Sequence, residues 1–332
     1  MDVLETAQLQ HSTHVDTGKR AGHGRRKPIV WMALLSGLLA TVLAGCDSSP
    51  QGSDSKFESA DAVEALALEW RKGRMERLTE PYGWLSLTGL ILLDPGAYTL
   101  GSADDSDIVL ARGPASWGRL VVDEQSARFE RSDGAAVTVD GQSVDRAPML
   151  LDQGSGPTLV EAAGIRIHLV DPGGRLALRV RDPESRPRTE FTGLDYYEIE
   201  SQWRIEAAFH PHPEGSTLQV ANVMGQLIAE PNPGQAVFEK DGQSFALEAI
   251  REGDRLFFIF ADRTSGRETY GLGRFLYTEL PQDGTVVLDF NQTFNPPCAF
   301  NSYTSCSLPP QSNRIDTWIR AGEKRYSGKP GI

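Results

Sequence analysis

Arg119-Leu120-Val121-Val122, Ala127-Arg128-Phe129-Glu130-Arg131 and Ala136-Val137-Thr138-Val139 follow one another closely, with Asp133-Gly134 before the third and Asp140-Gly141 after it. Short runs of β-branched and aromatic residues punctuated by Asp-Gly predict strands joined by tight turns. The same signal extends outward through Tyr98-Leu100, Asp107-Leu110, Ile165-Val170 and Leu176-Arg181. Turns at intervals of about 8 to 12 residues predict a sandwich or barrel. A second set begins at Asp195, with Tyr196-Ile199, Trp203-Phe209, Thr217-Asn222, Gln226-Glu230, Ala236-Lys240, Ser244-Glu248, Arg255-Ala261 and Val286-Asn291. Against this background one helix stands out from Asp61 to Leu78, where Val63, Leu66, Trp70 and Met75 recur at roughly helical spacing and Asp61 with Glu64 forms a capping-box pattern. The expected class is mainly β: an N-terminal helix, a β-sandwich, then a second, mostly antiparallel region ending in a proline-rich coil and a short helix.

The first set, with Leu100-Gly101-Ser102, Asp107-Ile108-Val109-Leu110 and Val139-Asp140-Gly141, resembles a forkhead-associated sandwich. Phosphothreonine-reading members carry an Arg after the first glycine and a Ser-Arg-x-His element. Here Ser102 and Pro114-Ala115-Ser116-Trp117-Gly118 occupy those places, so the resemblance implies the scaffold without the phosphate chemistry. The polar stretch Asp182-Pro183-Glu184-Ser185-Arg186-Pro187-Arg188-Thr189 marks the boundary. The expected segments are 1–46 as a leader, 47–60 as a flexible tether, 61–182 as helix plus sandwich, and 183–332 as the second β region.

The leader rests on order. Lys19, Arg20, Arg25, Arg26 and Lys27 precede an apolar run from Ile29 to Leu43, which ends in Leu43-Ala44-Gly45-Cys46. A basic, then apolar, then small-residue order is that of a secretory signal peptide, and the run falls short of the roughly 20 residues a bilayer span needs. Leu-Ala-Gly-Cys resembles the lipobox of bacterial lipoproteins, which implies acylation of Cys46 and a membrane anchor. The chain is then expected in the cell envelope, facing the periplasm or exterior. Asp47 favours the inner membrane if the cell is Gram-negative. The chain carries 33 Lys and Arg against 45 Asp and Glu, a net charge of −12. Phosphate backbones demand clustered cations, so nucleic acid is not an expected partner.

The densest collection of polar groups runs from Asp262 to Glu323. It includes Tyr270-Gly271-Leu272-Gly273-Arg274-Phe275-Leu276, Asp289-Phe290-Asn291, Phe294-Asn295-Pro296-Pro297-Cys298-Ala299-Phe300, Cys306-Ser307-Leu308-Pro309-Pro310, Asn313-Arg314 and Ala321-Gly322-Glu323-Lys324. These phrases resemble the bacterial and archaeal family known as domain of unknown function 1684, with an expected extent from about Trp84 onward. The resemblance carries no activity. Read physically, side-chain amides such as Asn291, Asn295, Asn301 and Asn313 can satisfy backbone groups of an irregular loop. Alternatively Asp289 and Glu323 form an acid and base, with Arg274, Asn291 and Asn295 holding a ligand. All five are expected to cluster.

Cys298 and Cys306 remain once Cys46 is acylated, and an exported protein favours a disulfide with Cα atoms roughly 5 to 6 Å apart. His210-Pro211-His212-Pro213 reads as solvated rather than metal-binding. No cofactor is expected, and neither a Gly-x-Ser-x-Gly elbow nor a phosphate-binding loop occurs. The sequence therefore leaves two functions open: a non-catalytic module for a small ligand, glycan or protein, or an envelope hydrolase using Asp289 and Glu323.

Overall fold

A computed structural model describes residues 59–152 and 156–328. Its first strands alternate as the sequence predicts: Gly118–Val122 and Ala127–Arg131 turn Leu120, Val122, Ala127 and Phe129 inward. Two five-stranded sheets result. One runs Leu87–Leu92, Ala177–Arg181, Ile165–Val170, Val160–Ala162, Thr138–Val139 in spatial order; the other runs Ile108–Val109, Gly96–Gly101, Gly118–Val122, Ala127–Arg131, Arg146–Met149. All pairings are antiparallel except Ile108–Val109 with Gly96–Gly101. Their inner faces share one core, including Leu100, Trp117, Phe129, Val160, Ile167 and Leu178. This is the expected sandwich. At its tip Ser102 donates its hydroxyl to the carbonyls of Gly113 and Pro114 at 3.0 and 3.2 Å, so it is engaged within its own loop.

The second region holds a four-stranded antiparallel sheet (Gln243–Glu248, Gly234–Lys240, Arg204–Pro211, Thr285–Asp289), a hairpin (Thr217–Ala221, Leu227–Pro231) and a three-stranded antiparallel sheet (Ile250–Glu252, Arg255–Phe260, Arg274–Glu279). A separate core gathers Trp203, Leu247, Phe258, Phe260, Leu276, Leu288, Phe290 and Ile319. Arg255–Phe260 is an unbroken apolar run after its first residue because both faces are covered. Leu256, Phe258 and Phe260 enter that core. On the other face Phe257 lies against Phe275 and Tyr277 at 4.9 and 4.6 Å, and Phe294 joins Phe275 at 5.8 Å.

The helix Ala60–Thr79 packs here, with Trp70 6.0 Å from Phe294, although it precedes the sandwich in sequence. It differs from its expected form at two points. Its N-cap is Ser59, whose side chain accepts from the Ala62 amide at 3.2 Å, rather than Asp61. Its buried stripe is Val63, Ala67, Arg74 and Leu78, whereas Leu66 is 43% exposed. A charged residue replaces an apolar one because a buried carboxylate awaits it. No helix among the described residues is long and apolar enough to cross a membrane. The leader 1–46, with Cys46, and all but the last two residues of the tether 47–60 lie outside the described residues.

Candidate functional site

Arg274 opens its strand directly after Gly273, whose φ of +94° suits glycine and where a Cβ would stand 2.5 Å from the Phe260 carbonyl. That close passage leaves the Arg274 side chain wholly buried. Its guanidinium donates to Thr293 Oγ1 at 3.1 Å, to the Ile319 carbonyl at 2.7 Å and to the Ala321 carbonyl. Asp262 Oδ1 lies 3.5 Å away. Burial pulls the Arg274 pKa down and Asp262 opposes it. Asp262 is itself anchored, accepting from Thr264 Oγ1 and from the Ile319 amide, both at 2.7 Å.

Glu323 follows Gly322, where a Cβ would meet Thr293 Oγ1 at 2.1 Å. Its carboxylate accepts from Arg74 Nε at 2.8 Å and from the Asn295 amide at 2.7 Å. Arg74 also donates to the Asn295 carbonyl at 3.0 Å and rests 4.7 Å from the Phe294 ring. Asn295 donates to the Lys324 carbonyl at 2.8 Å. Asp289 accepts from the backbone and side chain of Asn291, from Gln292 Nε2, and from Arg204 at 3.3 Å. The amide side chain of Asn291 then holds both backbone groups of Glu200.

The five expected residues therefore fall into two linked groups, both buried. Arg274, Asn295 and Glu323 meet around Thr293, whose carbonyl accepts from the Glu323 amide at 2.8 Å. Asp289 and Asn291 sit one turn earlier, joined to Thr293 through its hydrogen bond to the Phe290 carbonyl. Asn301 and Asn313 work similarly: Asn301 donates to the Trp84 carbonyl, and Asn313 pairs with both backbone groups of Glu248. Each amide stands in for a missing ladder partner in irregular chain. A surface cleft of about 340 Å³ has Asp262, Arg263, Ser265, Gly271, Arg314 and Asp316 among its walls, and neither Asp289 nor Glu323.

Cys298 and Cys306 are disulfide-bonded, with Cα atoms 6.1 Å apart. Three participants escaped sequence reasoning. Arg74 sits at helical spacing from Val63, Ala67 and Leu78, so its buried position was legible only once its partner was known. Asp262 opens a turn through Thr264 and Ser265, a pattern that could have flagged it. His212, expected in solvent rather than on a metal, keeps its side chain 28% exposed and also places Nε2 2.8 Å from Glu248, which Asn232 contacts at 2.9 Å. No group of three or more His, Cys, Asp or Glu side chains among the described residues is arranged to hold a metal ion.

The fold and this network define a β-rich module in which the concentrated polar residues secure irregular chain. Residues 189–324 match the family model described as "Protein of unknown function (DUF1684)". The match begins at residue 189 rather than near Trp84, so the sandwich stands outside it. The chain is also similar, at 32% identity, to an uncharacterised protein of Haloarcula marismortui solved by NMR, over 41% of this chain and 78% of that one, with a TM-score of 0.35. No curated protein matches.

Proposed function

We propose that the protein is an exported, lipid-anchored envelope module that binds a ligand or partner without catalysing its conversion. The observation that carries the non-catalytic part is the engagement of both candidate carboxylates. A general acid or base must reach the proton it transfers, whereas Asp289 and Glu323 are 4% and 0% exposed and hold amides and arginines. That engagement speaks against the competing reading of an envelope hydrolase built on the same pair. The anchoring part is supported by the basic cluster, apolar run and Leu43-Ala44-Gly45-Cys46 of the sequence. Two acyl chains hold a protein stably on a membrane where one does not.

The test of the non-catalytic part uses Asp289→Asn and Glu323→Gln. Both should lower the melting temperature. Hydrolysis of a cell-wall fragment by the wild-type chain, lost in Asp289→Asn at unchanged melting, would overturn the reading. For the anchor, Cys46→Ala should abolish labelling by radioactive palmitate and partition into detergent. Persistent labelling would remove the lipobox from consideration.

A further inference from the structure

From Asn313 to Ala321 the chain alternates strictly: Asn313, Ile315, Thr317, Ile319 and Ala321 are buried, while Arg314, Asp316, Trp318 and Arg320 lie toward solvent. Hydrogen bonds from Ala261 to the Asn313 carbonyl, from Ile315 to the Ala261 carbonyl and from Arg263 to the Thr317 carbonyl pin it beside residues 261–263. Extended chain advances about 3.3 Å per residue, so the outward side chains form a row roughly 20 Å long. The turn that follows Asp262 sets Arg263 and Arg267 against this row. Arg263 pairs with Asp316 through two contacts of 2.5 and 2.7 Å, and the guanidiniums of Arg320 and Arg267 flank the Trp318 ring at 4.6 and 5.6 Å.

Charge is distributed unevenly here. Of the two acids on this face, Asp316 is held by Arg263, and Glu268 by Arg320 at 2.8 Å and by the Tyr197 hydroxyl at 2.8 Å. Among the described residues neither Arg314 nor Arg267 has a carboxylate partner, and Arg267 donates only to the Arg263 carbonyl at 3.5 Å. The face thus carries an excess of cations on a chain of net charge −12. The cleft of about 340 Å³ lies at the Arg314 end. Two acids stand in its walls, and each has a cationic partner: Asp262 is fully buried 3.5 Å from Arg274 and accepts from the Ile319 amide, and Asp316 is held by Arg263.

We propose that this strip binds a phosphate-bearing ligand, with Arg314 holding the phosphate at the cleft and Arg267 providing a second cation along the row. A guanidinium presents a planar fork of donors that matches phosphate oxygens, and it is weakly hydrated enough to give up water for them. Phosphomonoesters and phosphodiesters alike present at least two non-bridging oxygens to the Arg314 fork, while Arg267 adds a favourable field along the row. The proposal rests on the binding-module reading and names the ligand class. The shared chemistry has two sources, a soluble phosphoester or a phospholipid headgroup.

The experiment is calorimetric titration of the full chain with sn-glycerol phosphate in one arm and with phosphatidylglycerol bicelles, against phosphatidylcholine, in the other. Saturable binding in the first arm identifies a soluble ligand, and in the second alone a headgroup. In either arm Arg314→Gln should weaken binding by about tenfold, the scale of one charged hydrogen bond, and Arg267→Gln, which acts from farther along the row, should weaken it by less. Both residues are exposed, so the variants should melt as the wild type does. Arg175→Gln, at an exposed position on the sandwich, should bind normally. Absence of binding in both arms, unchanged affinity in both variants, or equal loss in Arg175→Gln overturns the proposal. Stabilisation by neutral N-acetylglucosamine without any response to phosphate overturns it while leaving a binding module. Release of inorganic phosphate from sn-glycerol phosphate overturns the non-catalytic reading and leaves the anion site standing.

Discussion

Glu323 satisfies the Asn295 amide and neutralises Arg74 inside the protein, where an uncompensated charge is expensive. Removing one member of such a pair costs about 3 to 5 kcal/mol. Glu323→Gln should therefore lower the urea midpoint markedly, and adding Arg74→Met should restore part of the loss, because the stranded charge is gone. Fully additive losses would show that the two side chains act independently. Glu268 gives a pH test at the same scale. Hydrogen bonds from Arg320, and then from Tyr197, hold its carboxyl down to about 2, below the ordinary 4.5. A depressed carboxylate stabilises the fold at pH above its unfolded pKa and loses that contribution as pH falls through its folded one. The stability gap between wild type and Glu268→Gln should thus be widest above pH 4.5 and close toward pH 2. A gap independent of pH contradicts this linkage.

Among the elements, the loop closed by Cys298 and Cys306 carries Phe300 against Leu78 and Leu85, and Asn301 against Trp84. It therefore fastens the irregular segment to the helix and to the turn before the sandwich. Closing so short a loop stabilises by on the order of 2 to 3 kcal/mol in the chain-entropy account. Cys298→Ser with Cys306→Ser should lower the melting temperature, and native digests should contain the linked peptide. Two free thiols in native protein would contradict the bond. Elements whose pattern is local were legible beforehand. The sandwich strands announce themselves by alternation and Asp-Gly turns, and the helix by its uninterrupted helix-forming run, although its buried stripe is not the one its apolar spacing suggested. The strip Asn313 to Ala321 alternates just as clearly, yet prolines at 309 and 310 drew attention to coil instead.

For the molecule as a whole, the polar segment was legible as a concentration of unusual residues, and its purpose was not. Whether Asp289 and Glu323 are reactive or structural depends on what faces them. Arg204 lies 85 residues from Asp289 in sequence, and Arg74 lies 249 from Glu323. No local pattern carries that information. The same separation governs how the protein comes into being. The helix is among the first elements of the described chain to be synthesised, but the acid that seals its buried arginine is among the last. Until residue 323 has been delivered, Arg74 and the Asn295 amide lack their carboxylate, and the aromatic face around Phe294 has no settled lid. An interrupted chain is then left with an open seam between the helix and the segment that should close it, which a protease can read as unfinished.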